Sequence, residues 1–97
     1  MAELNETIHQ PVRLRIMAAL VALEAGNEVD FTYLRDLLEV TDGNLGAHLR
    51  KLEEVGYIAV NKLFVERKPR TYVSVTAEGR QVFQEHVAAL EAILRKR

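Results

Sequence analysis

The sequence predicts a small α+β domain that is mostly α-helical. Apolar residues recur with the helical period of 3.6 residues in four stretches, and they alternate with a period of two in one region only. The chain has 97 residues, which allows one domain across residues 1–97. A domain of this size buries a modest core, so we expect a partner subunit.

The composition excludes several classes of protein. There is no cysteine, and His9, His48 and His86 lie on different predicted elements without ligand spacing, so we expect no metal and no cofactor. Ser74 is the only serine and has no neighbouring His and Asp, and there is no Gly-rich phosphate loop, so we expect no catalytic residue and no enzyme. No apolar run is long enough to span a membrane, and the polar, acidic N-terminus is unlike a signal peptide. We therefore expect a cytoplasmic protein without a membrane partner.

The first half of the chain predicts helices around a small strand. Residues 7–25 follow the helical period, with Pro11 in the first turn and Gly26 after the end. Residues 28–31 favour a short strand, and Asp30 can cap a second helix over residues 31–40. Because only a short turn separates this helix from the next, the two helices must cross steeply, as in a helix-turn-helix.

Residues 41–55 predict the helix around which the chain is organised. Leu45, Leu49, Leu52 and Val55 share one face, and Gly56 follows as a left-handed C-cap. The opposite face has small, amide and basic side chains, which suit a DNA major groove, although an ordinary solvated helix can have the same composition. The candidate DNA contacts on this helix are Thr41, Asp42, Asn44, Ala47, His48, Arg50 and Lys51. Among them, His48 lies at the edge of the buried face and is equally suited to packing.

Two β-rich runs, residues 57–65 and 71–75, predict a hairpin with a basic tip at residues 66–70. Pro69 fits a turn and not a central strand, so we expect it in the tip. The candidate contacts to DNA phosphates or a minor groove are Lys62, Arg67, Lys68 and Arg70 in this hairpin, with Thr32 and Tyr33 at the start of the second helix as backbone contacts. Basic residues at a loop tip also occur simply for solubility.

A last helix is predicted over residues 77–95, with Thr76 as its N-cap. Its apolar residues follow a coiled-coil-like spacing, and the face is wide enough to cover both the domain and a second copy of the chain. We therefore expect residues 7–25 and 77–95 to be dimerisation helices that flank a DNA-binding core at residues 30–75. The expected dimer-interface residues are Ile8, Val12, Phe83, Val87, Leu90, Ile93 and Leu94.

Three stretches match a known pattern. They are IHQPVRLRIMAAL with His9, Arg13 and Ile16, then TDGNLGAHLRKLEEVGYI, then RTYVSVTAEGRQVF with Thr76, Gly79 and Arg80. With the order of the elements, they resemble the winged helix-turn-helix of MarR- and ArsR-like transcriptional regulators, and most closely the compact stand-alone winged-helix DNA-binding proteins. The chain has little room for the extra dimerisation helices of MarR proteins and lacks the cysteines of ArsR metal sensors.

The resemblance implies a homodimeric transcriptional regulator that binds double-stranded DNA. The helix at 41–55 would read the major groove, and the wing at 66–70 would lie on the flanking backbone or in the minor groove. The alternative is a winged-helix module that binds protein without DNA, which the net charge of −1 and the acids Glu53 and Glu54 leave open. A small-molecule effector is compatible with this fold, but nothing in the sequence indicates one.

Overall fold

The computed structural model describes residues 3–95. Along the chain the elements are α1 (Pro11–Val21), β1 (Val29–Asp30), α2 (Phe31–Leu38), α3 (Asp42–Glu54), β2 (Ile58–Val65), β3 (Lys68–Val75) and α4 (Ala77–Arg95). Four helices and a three-stranded antiparallel sheet in this order form a winged helix, which confirms the predicted fold class. Within residues 3–95, no helix combines the length and the apolar character that crossing a membrane requires.

The first helix is shorter than the predicted span of residues 7–25. It begins at Pro11, because the Gln10 side chain caps it by accepting a hydrogen bond from the Arg13 N–H at 2.9 Å. Residues 6–9 form turns instead of helix, and the Asn5 side chain accepts the N–H of Ile8 at 3.1 Å. This turn directs Ile8 inward, where its side chain is fully buried.

The N-terminal segment is attached to α4 by a buried histidine. The Nδ1 atom of His86 accepts the backbone N–H of Asn5 at 2.9 Å, and the Asn5 amide donates to the Tyr57 hydroxyl at 2.9 Å. Since Nδ1 is an acceptor, the neutral ring carries its proton on Nε2, which lies 3.2 Å from Nδ1 of His9. Burial, and secondarily the neighbouring His9, lowers the pKa of His86.

A single core joins the helices to the inner face of the sheet. Its buried residues are Ile8, Ile16, Met17, Leu20, Leu34, Leu38, Leu45, Leu49, Leu52, Ile58 and Val73. Most of these positions follow the apolar periods of the sequence, so burial of one face of each helix accounts for the packing. The core lies behind α3 and leaves its opposite face in solvent.

The hairpin of β2 and β3 is longer than predicted, and its turn is shorter. The strands pair from Ile58 with Val75 to Val65 with Lys68, so the turn consists of Glu66 and Arg67 alone. Both turn residues have positive φ, 52° and 69°, as a two-residue hairpin turn with right-handed twist requires. The prediction of a five-residue tip at 66–70 was therefore wrong in its extent.

Pro69 lies in β3 and not in the turn. It pairs with Phe64, one step beyond the pair that closes the turn, and pairs at that step do not exchange backbone hydrogen bonds. Its nitrogen therefore faces away from β2. The short strand β1 pairs only with Tyr72 and Val73, so no strand needs a donor at Pro69.

The junction between β3 and α4 gives a physical account of the Thr-x-x-Gly-Arg pattern. The Thr76 hydroxyl donates to the Gly56 carbonyl at 2.7 Å and accepts the N–H of Gly79 at 2.9 Å. A Cβ atom on Gly79 would lie 2.8 Å from the carbonyl carbon of Tyr57, so only glycine permits this approach. The Arg80 guanidinium donates to the carbonyls of residues 21 and 23 at 3.0 and 3.1 Å, which ends α1.

Candidate nucleic-acid interface

The helix α3 has the orientation that the sequence predicts. Thr41 caps it, since its hydroxyl accepts the N–H of Asn44 at 3.1 Å. Leu45, Leu49 and Leu52 are buried, and Gly56 has the predicted left-handed backbone, with φ of 84°. Val55 differs from the prediction: it is the C-cap residue, just after the end of the helix, and it is exposed.

The solvent face of α3 carries most of the residues predicted to contact DNA. The exposed members are Thr41, Asp42, Asn44, Ala47, Arg50 and Lys51. A Cβ added at Gly46 would meet nothing within 4 Å, so this face is open at its centre. An exposed helix face with an amide, a small residue and two cations can approach base edges and phosphates.

Asp42 also has a role within the protein. Its carboxylate pairs with Nη1 of Arg35 at 2.8 Å, and Nε of Arg35 pairs with Asp36 at 3.0 Å. The hydrogen bonds to Asp42 and then to Asp36 raise the pKa of Arg35. This ion pair joins the last part of α2 to the start of α3. The sequence did not identify Arg35 as a partner of Asp42, because the two residues are seven positions apart in different helices.

His48 packs against α1. Its ring is half-buried, and its Nδ1 lies 3.3 Å from Nη1 of Arg13. Arginine only donates, so this Nδ1 accepts and the ring proton lies on Nε2. Burial, and then the charge of Arg13, lowers the pKa of His48. The sequence left packing and DNA contact open for His48; the structure shows its packing contact with Arg13, and a contact with DNA stays a prediction.

The wing separates its cations into two groups. Lys62, Arg67 and Lys68 are exposed and have no ion-pair partner among residues 3–95. Arg70 instead pairs with Asp30 at 3.1 Å, and the same carboxylate caps α2 through the N–H of Thr32 at 2.8 Å. Arg70 therefore attaches the wing to α2, a contact between residues too distant in sequence to be predicted.

Two clefts connect these elements. One is lined by residues of α3 and the wing, with Arg50 and Lys62 among them, and Glu53 supplies an acid to its wall. The other is lined by the start of α2 and the wing, with Thr32 beside Lys68. Tyr33, the other predicted backbone contact, is 59% exposed on α2. The structure thus brings the three predicted groups of DNA contacts to adjoining surfaces.

The residues predicted for the dimer interface differ in burial, and only two of them are exposed. Ile93 and Leu94 are exposed near the end of α4, at 54% and 76%. The intermediate members are Val12, Phe83, Val87 and Leu90, which pack partly within the domain. Ile8 is fully buried in the core, because the turn at residues 6–9 directs it inward, and it has no surface to offer a second copy.

An exposed helix face beside a basic hairpin is the arrangement expected of a winged-helix DNA-binding domain. The chain belongs to that family: the family model described as winged helix DNA-binding domain matches residues 12–94. This is a family of binding domains and not of enzymes, which confirms that expectation from the sequence.

The chain is also similar to three further proteins. An uncharacterized protein of Methanocaldococcus jannaschii is 38% identical over 76 residues, 78% of this chain and 79% of that protein. The transcriptional regulator homologue of Pyrococcus horikoshii OT3 has a TM-score of 0.85 at 31% identity and covers 94% of this chain and 87% of its own. The Salmonella typhimurium protein ytfH, at 24% identity, shares the fold with a TM-score of 0.74 over 91% of this chain and 75% of its own.

Proposed function

We propose that this protein is a sequence-specific DNA-binding transcriptional regulator that acts in the cytoplasm as a homodimer. The observation that carries the proposal is the position of its uncompensated cations. Arg50, Lys51, Lys62, Arg67 and Lys68 lie on α3 and the wing, and none of them forms a salt bridge with another residue in the range 3–95. The likeness to the Pyrococcus horikoshii regulator homologue supports the same role.

In the proposed complex, α3 lies in the major groove and the wing lies on the flanking DNA. Asn44 is suited to bidentate hydrogen bonding with adenine, and Arg50 to bonding with guanine or phosphate. The wing cations neutralise phosphates, which gives affinity without reading sequence. Thr32, which shares a cleft with Lys68, and the exposed Tyr33 would contact the backbone of the same duplex.

The proposed dimer forms through α4. Ile93 and Leu94 expose apolar surface near the end of this helix, and a second copy related by a two-fold axis would cover it. Such a dimer presents two copies of α3, so the operator should be a pseudo-palindrome with half-sites about one helical turn apart.

The test of DNA binding is a titration of random-sequence duplex DNA across a salt series. We expect binding that weakens steeply with salt, and removal of both Arg67 and Lys68 should reduce the salt slope by about one for each cation. Arg95→Ala is the matched control, since it removes one cation from α4, outside the candidate interface. Asn44→Ala should leave the slope unchanged and alter the sequence preference in an operator selection.

Absence of binding at low salt, from protein with a normal thermal melt, would refute the DNA-binding proposal. It would favour the alternative, a winged-helix module that binds protein.

The test of the dimer is sedimentation of Leu94→Glu beside Gln84→Glu, which places the same charge at an exposed polar position of α4. We expect the first variant to be monomeric and the second to remain dimeric. If both variants sediment like the wild type, the proposed dimer surface is incorrect.

A further inference from the structure

We propose that Phe64 and Pro69 form an apolar wedge that enters the minor groove of bound DNA beside the site of α3. The inference rests on the proposed DNA-binding function and adds two contacts that the sequence did not indicate. The first observation is exposure: the Phe64 side chain is 80% exposed, more than any other large hydrophobic side chain in residues 3–95. Its cross-strand partner Pro69 is exposed beside it, and contiguous exposed apolar surface marks an interaction site.

The wedge lies on the same side of the wing as the candidate DNA contacts. Side chains alternate between the two faces of a strand, so Phe64 shares its face with Val60 and Lys62. Those two residues line the cleft with Arg50 of α3. Pro69 is the cross-strand partner of Phe64, which places the two apolar rings side by side on that face.

The support of the wedge is preorganised. The strands remain paired up to Val65 and Lys68, and the turn has only two residues. Pro69 has a fixed φ and so little conformational freedom to lose on binding. Three residue pairs from the turn, where Arg70 pairs with Leu63, the ion pair of Arg70 with Asp30 attaches the hairpin to the start of α2. A hairpin held close to its turn can present an apolar side chain without first becoming ordered.

The charges around the wedge favour nucleic acid as its partner. Lys62, Arg67 and Lys68 lie within four positions of Phe64, against the single acid Glu66. Lys62 shares the strand face of Phe64, and Arg67 lies in the adjoining turn. An apolar ring close to cations matches a groove whose edges are phosphates and whose floor and walls are bases and sugars. Phe and Pro are among the side chains that proteins insert from the minor groove between base steps, and the insertion partly unstacks the bases.

The experiment measures the affinity of the full chain for random-sequence duplex DNA across a salt series. Three variants are compared with the wild type: Phe64→Ala, Phe64→Tyr and Leu63→Ala. Leu63 is the matched control, since it is an exposed apolar residue on the same strand but on the opposite face. A second duplex carries 2-aminopurine, whose fluorescence rises when a base step is unstacked. Thermal melts establish that each variant is folded.

We expect Phe64→Ala to lower the affinity about tenfold, the scale of one aromatic contact to a base. The salt slope should not change, because no charge is removed, whereas removal of Arg67 changes the slope. Phe64→Tyr should retain wild-type affinity and Leu63→Ala should lose little. Wild-type protein should raise the 2-aminopurine fluorescence, and Phe64→Ala should not.

Equal affinity and equal fluorescence for wild type and Phe64→Ala would overturn the wedge while leaving the regulator proposal intact. A Phe64→Ala protein with normal DNA affinity but an altered sedimentation coefficient would also overturn it, because Phe64 would then serve a contact between protein chains. Absence of DNA binding by the wild type would remove the proposed function itself, and with it the wedge.

Discussion

Replacing Gly79 by alanine should destabilise the protein strongly, although alanine is the better helix former. The added Cβ would lie 2.8 Å from the carbonyl carbon of Tyr57 and 2.9 Å from its Cα, with the carbonyl oxygen closer still. Real Cβ atoms essentially never approach another atom below 3.0 Å, and all three neighbours here are backbone atoms. The start of α4 must therefore move away from Tyr57.

The size of the effect follows from the bonds at this junction. Movement of α4 stretches the hydrogen bond from the Thr76 N–H to the Tyr57 carbonyl, at 3.1 Å, and the bond from the Thr76 hydroxyl to Gly56, at 2.7 Å. Each such bond contributes about 1 kcal/mol, and overpacking typically costs about 1–3 kcal/mol more. Against these stands a helix-propensity gain of at most about 1 kcal/mol. We expect a net loss of about 2–4 kcal/mol in the free energy of unfolding.

The assay is urea unfolding at a fixed protein concentration, with Gly46→Ala as the matched control. Gly46 also lies in a helix, but a Cβ there meets nothing within 4 Å. This substitution should raise the free energy of unfolding by about 0.5–1 kcal/mol, because only the helix propensity changes. The reasoning from close approach would be refuted by a Gly79→Ala protein as stable as the wild type. It would also be refuted if Gly79→Ala and Gly46→Ala changed the free energy of unfolding in the same direction.

Two further predictions concern buried polar contacts. The pKa of His86 is lowered in the folded chain, so below about pH 6.5 the unfolded state binds a proton that the folded state does not. The contribution of His86 to stability should therefore be complete above that pH and be lost as the pH decreases, as urea unfolding at a series of pH values would measure. His86→Gln should weaken this dependence without removing it, because the pKa of His48 is lowered too, and an unchanged profile would contradict the assignment. Arg80→Met removes two charge-assisted bonds to carbonyls at the end of α1 and should lower the free energy of unfolding by about 2 kcal/mol. Its control, Arg95→Met, should change stability by less than about 0.5 kcal/mol, and equal losses in the two variants would contradict a specific role for Arg80.

The apolar period predicted which helices exist, and the last one has the predicted bounds, residues 77–95, but the ends of α1 were not predicted. The prediction for α1 was several residues too long at each end, because its limits are set by polar side chains. Gln10 caps its start, and Arg80, 59 residues away from Val21, binds its last carbonyls. A local sequence window contains no signal for a contact of that separation. The N-cap of α3 was predictable because Thr41 acts on a donor only three residues further on.

The wing illustrates a second limit. Pro69 indicated a turn, whereas the structure turns at Glu66 and Arg67, neither of which is a typical residue for positive φ. The register that forces this turn comes from the pairing of β2 with β3 along eight residues of each strand. Pairing over a whole hairpin outweighs the preference of one residue, and Pro69 is tolerated because its nitrogen faces no strand.

The cations of the candidate interface were predictable as exposed residues, but their pairing was not. The sequence predicted the same role, a wing contact to DNA, for Arg70 as for Arg67, yet Arg70 forms a salt bridge with Asp30. The predicted contact Asp42 likewise forms a salt bridge with Arg35. These pairs explain how a chain with a net charge of −1 can still approach DNA. They partly neutralise acids at the starts of α2 and α3, where a free carboxylate would repel phosphates.

Among the charges of α3 and the wing that form no salt bridge within the described part of the chain, the cations Arg50, Lys51, Lys62, Arg67 and Lys68 outnumber the acids Glu53, Glu54 and Glu66. The balance of these charges is therefore positive, while other acids, such as Glu24 and Glu28 before β1, lie elsewhere in the chain. The field that a duplex meets depends on this arrangement and not on the total charge. Asp30→Asn should therefore have two effects on DNA affinity. It adds local positive charge because it frees Arg70, and it makes the wing less ordered because it weakens the attachment to α2. Only the salt slope, which counts neutralised phosphates, can separate those two effects on DNA affinity.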